Sequence, residues 1–307
     1  MKTQKNVPMT NAAAEAAEKE ARKAATEKRL ATMRANLASM EKRAADILEK
    51  GDAMTAQDRA DLLSLVNIAY HDSGKIEGVY SVDSSAACEF CQKMITAAAE
   101  NILVICGCCY AAADAWKEAA WRRHQLNARI LSAVLFTVEE LKTLPLPDGV
   151  RVRFNEDGDT VNETMARNYL RIAAGRPAAV FGYWYKNAAA VEKGLHAEGI
   201  RTREALPENI RFIHSSALIG FPVRALWFDD ATFTVYPDAE STLAAVTAGA
   251  HECNGKRCRA CGYFCYVSRR QESAVNIAEV LRCSASKRAA MVAAVNARKA
   301  QQEIRHY

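Results

Sequence analysis

From Val150 to Val246 short β-rich runs alternate with amphipathic ones, and this alternation restricts the fold more than any other feature of the chain. Val150-Arg-Val-Arg-Phe154 has period two, Ala178 to Tyr185 is β-branched and aromatic, and Ile210–Ile213 and Phe233–Tyr236 read as further strands. Between them, Asp159 or Thr160 is placed to cap a helix carrying Val161, Met165, Tyr169 and Ile172. Asn187 is placed to cap one carrying Val191 and Leu195, and Asp238 to open one through Val246. Strand, helix, strand, helix at short intervals predicts an α/β domain, a partial or complete TIM-like parallel barrel.

In such folds functional groups gather beyond the carboxyl ends of the strands. The first strand is followed by Asn155-Glu-Asp-Gly-Asp159, the second by Lys186-Asn187, the third by His214-Ser215-Ser216. Gly158, Asp159, Lys186, Ser215 and Ser216 are therefore predicted to share one rim. Each cluster also has a plain reading, as a turn, a helix start or a loop bonding to its own backbone. Their occurrence at three consecutive strand ends favours a common pocket.

The amino-terminal part is helical. Asn11 to Lys50 is rich in Ala, Glu, Lys and Arg without Gly or Pro, and Leu30, Met33, Leu37, Met40, Ala44 and Ile47 form a short seam that can meet a second copy or the chain's own body. Gly51-Asp52 ends it. Thr55 with Asp58 marks a second helix, and Tyr110 to Leu141 is read as helical with a break near Asn127, stopped by Pro145 and Pro147. The expected organisation is a helical extension over 1–52, a core over 53–283 and a basic helical tail over 284–307. Residues 1–50 hold 11 Lys/Arg against 7 Asp/Glu and residues 284–307 hold 5 against 1, so the positive charge lies in the tails. That permits weak, salt-sensitive contact with nucleic acid, although a solvated helix face has the same composition. No run of about 18 apolar residues and no secretory h-region occurs, so a cytoplasmic protein without membrane contact is expected, with thiols kept reduced.

Eight of the 10 cysteines fall into two sets. Cys88, Cys91, Cys106 and Cys109 form two C-x2-C pairs, and Cys253, Cys258, Cys261 and Cys265 read C-x4-C-x2-C-x3-C. Such spacings point thiolates at a shared zinc ion or iron–sulfur cluster. The first set suits either. The crowding of the second is closer to ferredoxin-like spacing, with Arg257, Arg259 and Lys256 around it and His251 as a substitute ligand or an exposed histidine. Cys108 is a spare beside Cys109, and Cys283 reads as a small buried residue.

Ile105-Cys-Gly-Cys-Cys-Tyr-Ala111, Arg153-Phe-Asn-Glu-Asp-Gly-Asp159, Tyr183-Trp-Tyr-Lys-Asn187, Ser215-Ser216, Phe233-Thr-Val-Tyr236 and the late cysteines occur in an order that resembles the phage and prophage gene product 88 family, over about residues 75–283. That resemblance implies the host-cell cytoplasm and an architecture, but no reaction. A more distant resemblance is to radical S-adenosylmethionine enzymes, whose C-x3-C-x2-C motif is followed by an aromatic residue, as Cys106, Cys109 and Tyr110 are here. It implies a 4Fe–4S cluster on Cys106, Cys109 and one of Cys88 and Cys91, with S-adenosylmethionine as cofactor. The late set then holds an auxiliary cluster, Tyr110, Gly158, Asp159 and Ser216 bind the cofactor, and Asp159, Lys186 and Ser215 serve a small-molecule or macromolecular substrate. The departure is that four ligating cysteines would saturate the first cluster. The alternative from a different class is a zinc-stabilised binding module that contacts nucleic acid or a phage or host protein. Phosphate-loop, nucleophile-elbow and zincin motifs are absent from the sequence.

Overall fold

A computed structural model describes residues 11–84, 93–94, 96–98, 101–108, 118–253, 257–266, 274–281 and 284–304. Helix α1 (Asn11–Leu48) bears out the long amino-terminal helix, and its seam docks on the chain's own body from its middle onward. Leu37, Ala44 and Ile47 are buried whereas Leu30 is 44% exposed. Arg122 pairs with Glu41, and Arg43 with Asp61 at 2.6 Å, so ion pairs border the buried seam. Helix α2 (Ala56–Ser64) starts at the expected capping box, in which Thr55 and Asp58 each accept from the other's backbone.

Next come β1 (Ala69–His71), β2 (Val79–Val82), α3 (Glu118–Ala133), the short α4 (Val138–Leu141), β3 (Arg151–Phe154), α5 (Glu163–Ala174), β4 (Val180–Tyr185) and α6 (Ala188–Ala197). They are followed by β5 (Ile210–Ser215), β6 (Ala231–Tyr236), α7 (Ala239–Thr247), β7 (His251–Glu252), β8 (Val275–Val280) and α8 (Ala285–Ile304). The eight strands form one sheet in the order β1-β2-β3-β4-β5-β6-β8-β7, parallel except for the antiparallel β1. The α/β class is thus observed. From β2 to β6, strands adjacent in the chain are adjacent in space, so right-handed crossovers place their connecting helices on one face.

That face carries the main core. Val152, Phe154, Phe181, Tyr183, Tyr185 and Phe212 pack with Ile130, Leu131, Met165, Tyr169, Val191 and Leu195 of the helices. Phe154 stacks on Tyr169 with ring centres 4.2 Å apart. Alternate residues of the same strands, including Arg153, Trp184, Arg211 and Ile213, point to the opposite face, which is covered by residues 257–266. The Lys75 ammonium lies 2.8 Å from both carboxylate oxygens of Glu279. In a flat sheet β2 and β8 would be about 24 Å apart, so the 72–78 loop and β8 meet only because this inner face is enclosed. Among the described residues, no helix is long and apolar enough to cross a membrane.

Two local expectations are corrected. Helix α3 runs unbroken through Asn127, because that buried side chain serves other elements: it accepts from Asn67 N and donates to the carbonyls of Asn67 and Asp83. Helix α5 is capped by Asn162, which accepts from Met165 N, and not by Asp159 or Thr160, since the chain needs three more residues to turn from the strand end.

The α5–α6 crossing depends on a glycine. A Cβ on Gly194 would lie 2.5 Å from the Ala166 Cβ, closer than two carbons pack. Gly194→Ala is expected to force the helices apart and cost about 1–3 kcal/mol, which thermal denaturation checks; an unchanged melting temperature would show that the crossing can relax.

Candidate functional site

The rim expected from the sequence forms at the carboxyl ends of β3, β4 and β5. The chain leaves β3 through Asn155, at φ 60°, and turns at Gly158, φ 90°. Asn155 tolerates this left-handed position because its amide is used on all sides: Nδ2 donates to the Trp184 carbonyl at 3.0 Å, and Oδ1 accepts from Ser84 and Tyr169. Asp159 follows, 1% exposed. Its carboxylate accepts backbone N–H groups from Thr160 at 2.7 Å, Lys186 at 2.9 Å and Asn187 at 3.2 Å, tying the end of β3 to the end of β4. Burial raises its pKa, opposed by the Lys186 charge and these amides.

Ser215 ends β5 on the inner face, and Ser216 beside it accepts from Leu218 N and donates to the Leu218 and Phe221 carbonyls. Next to them the early cysteine segment docks. Ile105 N donates to Ala217 O at 3.0 Å, Ile219 N to Leu103 O at 2.8 Å, and Val104 bridges Leu218. The 3-10 turn Ile105–Cys108 therefore sits at the carboxyl end of β5, with Cys106 in it. Cys88, Cys91, Cys109, Tyr110, Lys256 and Cys283 lie outside the described residues. The structure thus brings together Asp159 with Lys186, and Ser215 and Ser216 with Cys106, along one edge of the sheet.

The same edge holds a group that sequence reasoning missed. Beyond β2 and β3, a chain of contacts runs from Glu156 through His71, Ser81 and Asp83 to His124 and Asp157. His71 Nε2 is 3.1 Å from Glu156 and 2.9 Å from Ser81 Oγ; Ser81 donates to Asp83 at 2.6 Å. His124 lies 3.9 Å from Asp83 and 3.5 Å from Asp157. Burial pushes Asp83 up to about 6, while its other oxygen accepts from Glu156 N and Asp157 N. Glu156 raises His71; burial acts against His124, but Asp157 and Asp83 raise it overall. The only sequence signal was Glu156 and Asp157 in the strand-end cluster, because β1 and β2 are too short and α3 too distant in sequence to point at a common place.

The late cysteines occupy the inner face. Cys258 N donates to Lys75 O at 2.6 Å and Tyr263 OH to Glu77 O at 3.1 Å, anchoring the segment to the 72–78 loop. Cys253 and Cys265 pack on Trp184, Ile213, Ala231 and Ile277, whereas Cys258 packs on Ile76 and Val79. Burial pushes the Cys258 thiol up to about 11 and that of Cys265 up to about 12, and the Cys253, Cys258 and Cys265 sulfurs repel one another as thiolates. Their soft donor chemistry suits zinc or an iron–sulfur cluster. Among the described residues, however, no three Cys, His, Asp or Glu side chains already converge as a metal-binding group. Cys261 Sγ is turned to the Cys258 carbonyl at 3.1 Å and would have to leave it to ligate. Burial and the Arg211 charge lower the pKa of His251, against the opposing charge of Glu252. Arg257 pairs with Glu77 at 3.3 Å and Arg259 is exposed, so neither is buried beside the sulfurs.

The fold and these sites define an α/β protein with a mostly parallel sheet, a polar strand-end edge and a cysteine-bearing segment across its inner face. Comparison with protein-family models, with curated proteins and with solved structures found no match.

Proposed function

We propose that the chain is a cysteine-ligated metalloenzyme, an iron–sulfur protein of radical S-adenosylmethionine-like type on a partial TIM-like barrel, acting in the host-cell cytoplasm as a phage-related protein. The observation that carries this reading is the docking of the Cys106 turn beside Ser215 and Ser216. The connection bearing that turn leaves β2, the first parallel strand, and returns to the edge where Asp159 and Lys186 also lie. A cysteine loop after the first parallel strand, facing later strand ends, is the arrangement that the resemblance to radical S-adenosylmethionine enzymes implies, and strand ends are where α/β folds place their sites. Cys106, Cys109 and one of Cys88 and Cys91 would hold the cluster, which supplies one-electron chemistry when bound. The chain's own contribution is positional. Asp159 holds the start of the β4 loop through Lys186 N and Asn187 N, which places Lys186 on this edge with its charge acting on the Asp159 carboxylate. His71 and His124 lie along the same edge as proton-carrying groups.

A second reading, a zinc-stabilised binding module, is favoured by one observation: the late segment bridges the 72–78 loop and the sheet, as a structural site would. Its basic tails would make the nucleic-acid contact. Metal analysis with an absorption spectrum after anaerobic purification separates the two. Iron with acid-labile sulfide and a broad band near the visible supports the enzyme; zinc alone refutes the cluster; no metal refutes both. The doubly substituted Cys258→Ser, Cys261→Ser chain is expected to lose one site's worth of metal and keep the rest. Unchanged stoichiometry, or loss of all metal together, would overturn the division into two sites.

A further inference from the structure

Arg153, Gly182 and Arg211 stand side by side on β3, β4 and β5 in one register row of the inner face. The late cysteine segment rests on the glycine: a Cβ there would lie 3.1 Å from the Cys265 carbonyl and 3.0 Å from the Tyr266 ring. The two arginines therefore flank the segment where Cys265 and Tyr266 cross the sheet. Arg153 lies 4.3 Å from the centre of the Trp184 ring and Arg211 4.2 Å from that of Phe264, which fixes both guanidiniums as flat plates. Arg153 acts electrostatically on Cys258 and Cys265, and Arg211 on Cys265.

Arg211 is the informative member. It is 4% exposed, and its Nη1 donates to the Phe264 carbonyl at 2.9 Å. Its Nε is buried and has no acceptor among the described residues. The nearest carboxylate acting on it, Asp230, already pairs with Arg203 at 3.1 Å and accepts from Phe212 N. A buried cation of this kind is costly unless an anion sits beside it. Two further buried donors beside the segment, Trp184 Nε1 and Tyr266 OH, also lack partners among the described residues, so this face presents donors in excess. Neutral thiols cannot balance that excess. A divalent metal on four thiols releases four protons and leaves a centre with two negative charges, and a 4Fe–4S cluster in its 2+ state on four thiolates carries the same charge.

We propose that Arg153 and Arg211 are the built-in counter-charges of a dianionic tetrathiolate metal centre on Cys253, Cys258, Cys261 and Cys265. This rests on the metal-binding reading of the late set and goes beyond it, because the charge compensation comes from two sheet strands and not from the arginines adjacent in sequence. The two arginines act as positioning residues. They lower the free energy of the thiolate form, and Trp184 and Tyr266 are placed as N–H and O–H donors to sulfur.

The test is a cobalt(II) titration of the full chain carrying Cys106→Ser and Cys109→Ser, followed by thiolate-to-cobalt charge-transfer absorption, with affinity from chelator competition. Adding Arg211→Gln is expected to weaken cobalt binding about 10- to 100-fold, while Arg211→Lys stays close to the parent. Should Arg211→Gln fail to fold by circular dichroism, Arg153→Gln and Arg153→Lys carry the same comparison. If the parent shows no thiolate–cobalt band, the metal reading itself falls. A band in the parent with equal affinity in Arg211→Gln overturns the counter-charge role alone. Equal weakening by Gln and Lys overturns it too, by assigning the effect to packing.

Discussion

Replacing Asp159 by alanine is expected to destabilise the fold by about 3 kcal/mol, because the buried Thr160 N–H and the partly buried Lys186 and Asn187 N–H groups lose their acceptor, and each such loss costs about 1–3 kcal/mol when the group stays dry. Those groups belong to Thr160, Lys186 and Asn187, so the change unfastens the β3 end from the β4 end and is felt along the whole edge. Asp159→Asn keeps one acceptor oxygen and should lie between wild type and alanine. Urea unfolding monitored by circular dichroism measures both. A loss below about 1 kcal/mol for alanine would mean that water enters and satisfies the amides, and the carboxylate would then be free for a ligand instead of serving as a staple.

Asp83→Asn should do the opposite at alkaline pH and stabilise the protein. The Asp83 carboxyl is 3% exposed, and burial raises it from 3.8 to about 6. Between those values the folded state binds more protons than the unfolded one, so the Asp83 contribution to stability falls as pH rises from 3.8 to 6 and stays at its minimum above. A shift of that size corresponds to up to about 3 kcal/mol. His71 and His124 act in the same sense: with raised pKa values, their contribution is complete below the unfolded value and is lost as pH rises through the folded one. The neutral, isosteric asparagine can still accept from Glu156 N and Asp157 N. Its advantage over wild type should be largest near pH 8 and vanish near pH 4, read as the difference in urea midpoint across that range. A destabilisation above about 1 kcal/mol at pH 8 would show that attraction to His124 outweighs the cost of burying the charge.

Local signals were legible where one short segment decides its own conformation. Thr55 with Asp58, Asn187 and Asp238 cap the helices they were expected to cap, since a cap needs only a side-chain oxygen and an amide three residues on. The four strands of the 150–236 region were readable because their alternation reflects one face against a greasy core and another against the cysteine segment. β1, β2, β7 and β8 were not, as strands of two to six residues interrupted by loops leave little period to detect.

What the sequence by itself determined is therefore the α/β class, the helix starts at Thr55, Asn187 and Asp238, the edge to which Asp159, Lys186, Ser215 and Ser216 belong, and the sulfur donors available. Tertiary structure alone decided what those groups face. It turned Asp159 from a helix cap into a clasp between strand ends, joined His71, Asp83 and His124 from three separate elements, and set Arg153 and Arg211 against cysteines as many as 112 and 54 positions away. The physical reason is range: capping and alternation act within a few residues, whereas burial, charge compensation and the donor–acceptor balance of a buried face exist only once distant segments have excluded water together.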